Sequence, residues 1–185
     1  MSRISSFALA VSLTSGLVIA NVAYADKRQQ YEDAARSAVN REGCKSIPEF
    51  MGDLRGPCVD AGRTLHEYCD GSRGPVSCGS ELADQRSRIF IARSKGESTS
   101  SQEADFKNNV NRIIGTIDQC IAHREAQMNV YSTLIERMQR EDDPTLRPAA
   151  RDIAYKQLDE IKGHKQQIEN RRTSRRTCDE LLRGI

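Results

Sequence analysis

The chain has 185 residues, of which 29% are charged, 37% are hydrophobic and 5% are aromatic, and it contains no tryptophan. Globular enzymes of this length usually have a richer apolar core, whereas helical hairpins bury only a narrow apolar seam and fit this composition better. The formal net charge of +2 is too small to indicate an acidic or a basic partner.

The N-terminus has the three zones of a signal peptide. Arg3 is the only charged residue in residues 1–25, an uncharged apolar run covers residues 7–20, and Ala23-Tyr24-Ala25 has the small residues that signal peptidase accepts. The apolar run is shorter than the roughly 20 residues that a membrane-spanning helix needs. We therefore predict cleavage after Ala25, a mature chain without a transmembrane segment, and export to the bacterial periplasm or to an equivalent oxidising space.

All six cysteines lie in the predicted mature chain: Cys44, Cys58, Cys69, Cys78, Cys120 and Cys178. An even number of cysteines in an exported chain indicates disulfides. A zinc site would favour closely spaced pairs such as C-x-x-C, and no such pair occurs.

The first half of the mature chain predicts short helices separated by glycine and proline. Apolar residues at three- and four-residue spacings, bounded by these breakers, place helices at Asp26–Glu42, Cys58–Asp70 and Val76–Ser94. The second helix would carry Cys58, Leu65 and Cys69 on one face, and the third would carry Cys78, Leu82, Ile89 and Ala92. Residues 26–98 thus form a Cys/Gly/Pro-rich subdomain of short helices.

Residues 99–185 predict two long helices, at about 100–141 and 146–183. Ser100 and Glu103 have the spacing of a capping box, and Thr145 precedes the second helix as a candidate cap. The predicted inner stripes are Phe106, Val110, Ile113, Ile117, Cys120, Met128, Tyr131, Ile135 and Met138 on the first helix, and Leu146, Ala150, Ile153, Leu158, Ile161, Ile168, Leu181 and Leu182 on the second. Because a short turn joins them, the helices must run antiparallel. The fold class predicted is all-α: one disulfide-stapled helical domain with a long C-terminal antiparallel helical hairpin.

The register of this hairpin restricts the disulfides. With the turn near Pro144, Cys120 faces the region of Gln167 and Cys178 faces the region of Asn109. The two cysteines are then about 11 residues, or roughly 17 Å, apart along the axis. A disulfide tolerates a Cα separation of at most about 7 Å, so Cys120 should not pair with Cys178. Each should instead bond to a cysteine of the first half.

No pattern of catalytic, metal-binding or cofactor-binding residues occurs. G-x-S-x-G, H-E-x-x-H, phosphate-loop and dinucleotide motifs are missing, so we predict no catalytic residue, no metal and no cofactor. His66 near Cys69 and His123 near Cys120 could form mixed metal sites, although a histidine beside a disulfide is the preferred interpretation. Two acidic pairs at i, i+3 spacing, Glu67 with Asp70 and Glu81 with Asp84, are interpreted as solvated helix surface rather than a sugar-cleaving pair.

Two features of the hairpin are candidate interaction sites. The first is a group of basic residues on the last helix: Lys162, Lys165, Arg171, Arg172, Arg175 and Arg176. Arginine clusters suit carboxylates and phosphates, so an acidic protein or an anionic envelope surface could bind here, and an exposed basic face opposite acids is the alternative. Nucleic acid is not expected, because no aromatic residue lies among these cations to stack on bases.

The second feature is a polar interruption of the apolar seam. Residues 123–127 read His-Arg-Glu-Ala-Gln, residues 164–167 read His-Lys-Gln-Gln, and the two stretches fall nearly opposite each other. A buried polar layer can fix helix register. It could also mark where the helices part to take a ligand or partner.

The stretch from Cys120 to Cys178, with Gln127-Met128-Asn129-Val130-Tyr131 near its start and Arg171-Arg172 near its end, resembles a family of helical lysozyme inhibitors. The tryptophan expected before the last cysteine is missing, and we do not assign the chain to that family. Helical-hairpin stress chaperones of the periplasm share the predicted architecture, but their L-T-x-x-Q motif is missing.

These observations favour a non-enzymatic periplasmic protein that binds another envelope protein as an inhibitor, immunity factor or assembly accessory. A helical-hairpin chaperone or stress adaptor is the first alternative. A peptidoglycan-acting enzyme, or a regulator of one, is the second.

Overall fold

The computed structural model describes the backbone of residues 8–185 and the side chains of residues 22–185. This part forms five α-helices, namely α1 (Ala8–Val39), α2 (Gly52–Cys69), α3 (Ser80–Ser94), α4 (Ser100–Gln139) and α5 (Arg147–Leu182), with 3-10 helices at Gly43–Ser46 and Glu49–Met51. No β-strand occurs in it, so the predicted all-α class is confirmed. Most of the predicted signal peptide lies outside the residues whose side chains are described.

The long hairpin is confirmed. Helix α4 ends at Gln139 and α5 begins at Arg147, so a short connection joins two helices of 40 and 36 residues. In this connection the carboxylate of Asp143 accepts hydrogen bonds from the amide (2.8 Å) and the hydroxyl (2.7 Å) of Thr145. Thr145 therefore bonds back into the turn through its side chain, and this differs from its predicted role as a cap of the second helix.

The chain divides into two compact units. The first combines Met1–Arg55 with Leu134–Lys156, and the second combines Gly56–Thr133 with Gln157–Ile185. Both long helices contribute a segment to each unit. The subdomain boundary predicted near residue 98 falls in the loop between α3 and α4.

In the first unit, apolar residues of α1, of residues 47–54 and of the turn end of the hairpin form the buried interior. They include Tyr31, Ala34, Ala38, Ile47, Met51, Leu54, Leu134, Ile135, Met138, Leu146, Ala150 and Ile153. The hydroxyl of Tyr31 donates to Glu141 Oε2 at 2.5 Å, and Lys27 Nζ lies 3.2 Å from the same oxygen. Burial and this bond to Glu141 raise the pKa of Tyr31, so the phenol stays protonated.

In the second unit, helices α3, α4 and the end of α5 enclose an apolar cluster of Ile89, Phe106, Val110, Ile113, Ile117 and Cys178. A neighbouring cluster contains Leu65, Cys69 and Cys120. The predicted face of the second helix is confirmed, because Cys58, Leu65 and Cys69 are all buried. Cys58, Cys69, Cys120 and Cys178 are thus buried, whereas Cys44 and Cys78 are only partly buried.

Two helix ends have well-defined caps. The amide of Glu97 donates to the carbonyl of Ala92 (3.1 Å) and the amide of Gly96 donates to that of Arg93 (3.0 Å), which is a Schellman motif with Gly96 at φ 77°. At the start of α4, the side chain of Glu103 accepts a 2.5 Å hydrogen bond from Thr99 Oγ1. The predicted partner of Glu103 was Ser100, and the difference arises because Thr99, not Ser100, precedes the first helical residue.

One residue of the predicted apolar stripe is misplaced. Leu158 is 43% exposed, whereas its neighbour Gln157 is 2% exposed. The apolar pattern favoured Leu158, but the helix turns the polar neighbour inward at this point of the seam.

Within the described residues, no helix has the length and apolar character needed to cross a membrane.

Candidate functional site

Two disulfides fix the second unit. Cys69 is bonded to Cys120 and Cys78 to Cys178, with Cα separations of 5.1 and 5.4 Å. Cys120 is therefore not bonded to Cys178, and each of the two is joined to a cysteine of the first half of the chain. Cys44 and Cys58 are also disulfide-bonded, and no described cysteine is free.

Arg172 and Arg175 of the basic group form ion pairs with the facing helix. Arg172 Nη2 lies 3.2 Å from Glu125 Oε1, and Arg175 Nε lies 2.8 Å from Asp118 Oδ1. Each arginine also pairs with an acid of α5 itself, at 2.7 Å in both cases. Both cations are thus paired with acids of the hairpin itself.

Arg171 points inward. Its Nη2 donates to the carbonyl oxygen of Cys69 at 2.9 Å and its Nη1 to that of Val76 at 3.3 Å. Because Cys69 is the last residue of α2, Arg171 satisfies a carbonyl that the helix end leaves unpaired. Arg171 therefore holds the end of α2 on the hairpin.

The remaining members of the basic group are spread over the surface of α5. Lys162 pairs with Asp159 at 3.1 Å, and Arg176 donates to the hydroxyl of Thr173. Lys165 is exposed and has no ion pair among the described residues. The six residues do not form one continuous patch of unpaired charge, because acids lie between them.

The polar interruption of the seam forms a connected group, here called the polar layer: Arg124, Gln127, Tyr131 and His164. Arg124 Nη1 lies 3.2 Å from His164 Nδ1, and Gln127 Nε2 donates to Tyr131 Oη at 3.0 Å. The rings of Tyr131 and His164 are 5.9 Å apart between centroids. The two stretches that the sequence places opposite each other therefore do meet.

Burial controls the charges of the polar layer. Burial, and then the neighbouring Arg124, lower the pKa of His164 from 6.5 to about 4, so the imidazole is neutral near pH 7. Its Nδ1 then accepts the hydrogen bond from Arg124, which fixes the tautomer with the proton on Nε2. Burial also lowers the pKa of Arg124, and the nearby cation of Arg171 acts in the same direction.

Arg124 has no acidic partner among the described residues. Its half-buried guanidinium donates to a neutral imidazole and lies close enough to Arg171 to be repelled by it. The Nε atoms of both arginines and the Oε1 of Gln127 are buried and have no hydrogen-bond partner. A guanidinium without an acid in a partly desolvated place is costly unless an anion compensates it.

The bridge between Cys69 and Cys120 lies about one helical turn from this layer on α4. Tyr68 precedes Cys69, and its ring stacks on that of His123 with centroids 5.6 Å apart. His123 and Arg124 follow Cys120 by about one turn of α4. The disulfide therefore holds the end of α2, with Tyr68, against the turn of α4 that carries His123 and Arg124.

The other candidates have ordinary local contacts. His66 lies 2.9 Å from Asp70 Oδ2, and hydrogen bonds from Ser72 lower the pKa of Asp70. Glu67 pairs with Arg73 at 2.8 Å. No group of three or more metal-binding side chains comes together in the part of the chain that the structure describes.

Sequence reasoning found the polar layer but missed two of its neighbours. The stack of Tyr68 on His123 depends on where the disulfide places α2, which the sequence leaves open. The inward direction of Arg171 also depends on the end of α2. A signal for it was present, since a basic residue facing the end of a helix is a common way to satisfy carbonyl groups.

No protein-family model matches this chain, and comparisons with curated proteins and with solved structures also find no match.

Proposed function

We propose that the chain is an exported, non-enzymatic binding protein that acts on another protein of the bacterial periplasm as an inhibitor, immunity factor or assembly accessory. The main observation in support of this proposal is the disulfide that lies next to the polar layer. The bridge between Cys69 and Cys120 holds Tyr68, His123 and Arg124 in one arrangement before any partner arrives.

A rigid arrangement favours binding, because the ordering of side chains and loops is a large part of the free-energy cost of association. Tyrosine and arginine are also the residue types that contribute most to protein interfaces. Tyr68 at the bridge and Arg124, which lacks an acidic partner among the described residues, are of these two types. Export agrees with the disulfide-bonded cysteines, since such bonds persist in oxidising compartments.

The chaperone alternative needs a broad apolar surface for unfolded clients. In the second unit the exposed large apolar residues are distributed over different helices, with Val59 on α2, Phe90 and Ile91 on α3 and Leu158 on α5. Single exposed apolar residues are normal on soluble proteins. This distribution favours a specific partner over general client binding.

The test is capture of a partner from periplasmic extract with the tagged mature protein. We expect one stoichiometric partner with the wild-type protein, loss of that partner with Arg124→Gln, and retention with Arg88→Gln. Arg88 is an exposed arginine of α3 without an ion pair among the described residues, so it is the matched control.

Three results would contradict the proposal. The first is repeated failure to recover a stoichiometric partner. The second is suppression of aggregation of many unrelated unfolded proteins, which would indicate a chaperone. The third is clearing of a peptidoglycan gel by the purified protein, which would indicate an enzyme.

A further inference from the structure

The two arginines at the polar layer form no ion pair with a described acid. One acid is nearby, since burial and, to a smaller extent, Glu160 raise the pKa of the Tyr131 phenol. Arg124 and Arg171 are both half-buried, and Arg124 is repelled by Arg171. His164 is neutral near pH 7, and Gln127 and Tyr131 carry no charge at that pH. Two cations therefore lie close enough to repel each other, and neither is paired with a described acid.

The donors of the two arginines are used unequally. Both terminal nitrogens of Arg171 donate to backbone carbonyl groups, so this residue supplies charge but few free donors. Arg124 uses Nη1 on His164, and its Nη2 makes no hydrogen bond to the described residues. Arg124 is thus the residue that can bond to a ligand, while Arg171 adds an attractive charge.

We propose that Arg124, assisted by the charge of Arg171, binds one carboxylate of the partner protein, either from an acidic side chain or from the chain's C-terminus. This inference rests on the proposed function, because it specifies the chemistry by which that partner is recognised. The planar guanidinium of Arg124 can present Nη2 to a carboxylate oxygen, and charge-assisted bonds of this kind are among the strongest hydrogen bonds in proteins.

The surroundings favour a single carboxylate over a polyanionic surface. The nearby cation of Arg172 is already paired with Glu125 and Glu169, and that of Arg175 with Asp118. A lipid or polysaccharide surface with many phosphates would meet these acids as well as the arginines. A single carboxylate that binds Arg124 would not need to contact the acids that pair with Arg172 and Arg175.

Aromatic residues at the same disulfide fit a protein ligand. Tyr68 and His123 stack with centroids 5.6 Å apart, and Arg73 lies 5.8 Å from the centroid of the Tyr68 ring. Both rings are partly exposed, so residues that flank the carboxylate of a protein partner could contact them.

The experiment is an NMR titration of the ¹⁵N-labelled mature protein at pH 7, in which sodium acetate replaces sodium chloride at constant ionic strength. We expect saturable shifts of the Arg124 Nε–Hε signal and of the His164 ring, with a Kd on the order of 1 mM. Arg124→Gln should weaken acetate binding at least about tenfold, Arg124→Lys should weaken it less, and Arg88→Gln should leave it unchanged.

Three results would overturn the inference: no saturable shift at the polar layer, the same acetate affinity in Arg124→Gln as in the wild-type protein, or inorganic phosphate that binds more than about tenfold tighter than acetate. Retained disulfides and an unchanged circular dichroism spectrum in Arg124→Gln exclude unfolding as the cause of lost binding. The two proposals fail separately. Acetate binding without any partner protein contradicts the proposed function, and a partner still held by Arg124→Gln contradicts the inference.

Discussion

Replacement of Cys69 and Cys120 by alanine should remove a large part of the stability of the protein. The bridge joins residues 51 positions apart, and the chain-entropy relation then gives a loss of about 4 kcal/mol at 25 °C. Typical domains are stable by only about 5–15 kcal/mol, so this loss moves the protein close to its unfolding limit. Alanine is the suitable replacement because both cysteines are buried in an apolar cluster, where a serine hydroxyl would lose its hydration.

The measurement is guanidinium-induced unfolding followed by circular dichroism under non-reducing conditions, with the other bridges intact. The matched comparison is the double alanine variant of Cys78 and Cys178, for which the separation of 100 residues gives an upper bound of about 4.7 kcal/mol, because the intact bridge between Cys69 and Cys120 already shortens that loop. The two variants should therefore lose similar free energy. A loss below about 1 kcal/mol in the variant of Cys69 and Cys120 would refute the reasoning that this bridge, rather than apolar burial, secures α2 on the hairpin.

Three further predictions follow from the contacts. The pKa of His164 is lowered from 6.5 to about 4 in the folded protein, so the imidazole gains its proton at a higher pH in the unfolded chain than in the folded one. The free energy of unfolding should therefore fall as the pH drops through this range. Paired melts at pH 7 and pH 5 should show this loss reduced in His164→Gln, and an equal loss in both proteins would contradict it. Tyr31→Phe removes the hydrogen bond to Glu141 and should cost about 1.5–3 kcal/mol by denaturant unfolding, against less than about 0.5 kcal/mol for the exposed control Tyr155→Phe. Ile153→Ala should cost about 2–5 kcal/mol in the same assay, because this side chain is fully buried, and a cost below about 1 kcal/mol would contradict its place in the core.

The long hairpin was readable from the sequence because its periodicity continues over many turns. Phe106, Val110, Ile113 and Ile117 repeat at helical spacing, and all four are buried. Repetition over this length outweighs any single misleading residue such as Leu158. Hairpin geometry and the fixed rise of an α-helix likewise showed that Cys120 and Cys178 are too far apart to bond to each other. Each is bonded instead to a cysteine of the first half of the chain.

The start of α2 was harder to predict, because local signals there conflict with packing. Pro57 lies inside α2, although a proline in a helix interior removes a hydrogen bond and usually ends the helix. The sequence therefore favoured a start at Cys58, whereas the helix begins at Gly52. Leu54, within the added turn, is buried in the first unit, so this turn contributes apolar burial that the local sequence pattern did not reveal.

The candidate site was predictable only in part. Opposed polar stretches in an apolar seam located Arg124 and His164, and charge counting identified six basic residues on α5. Which of these cations are neutralised depends on rotamers and on the facing acids, such as Glu125 for Arg172. That information is three-dimensional. The structure therefore favours Arg124, which is not a member of the basic group, as the candidate binding residue.

Oxidised thiols hold α2 and the start of α3 on the hairpin and so shape the polar layer. Tryptic digestion of the non-reduced protein separates the cysteines, because Cys69, Cys78, Cys120 and Cys178 fall in peptides 64–73, 74–86, 113–124 and 177–183. Mass spectrometry should find peptide 64–73 linked to 113–124 and peptide 74–86 linked to 177–183, with no free thiol. A link between 113–124 and 177–183, or several free thiols in the purified protein, would contradict the account.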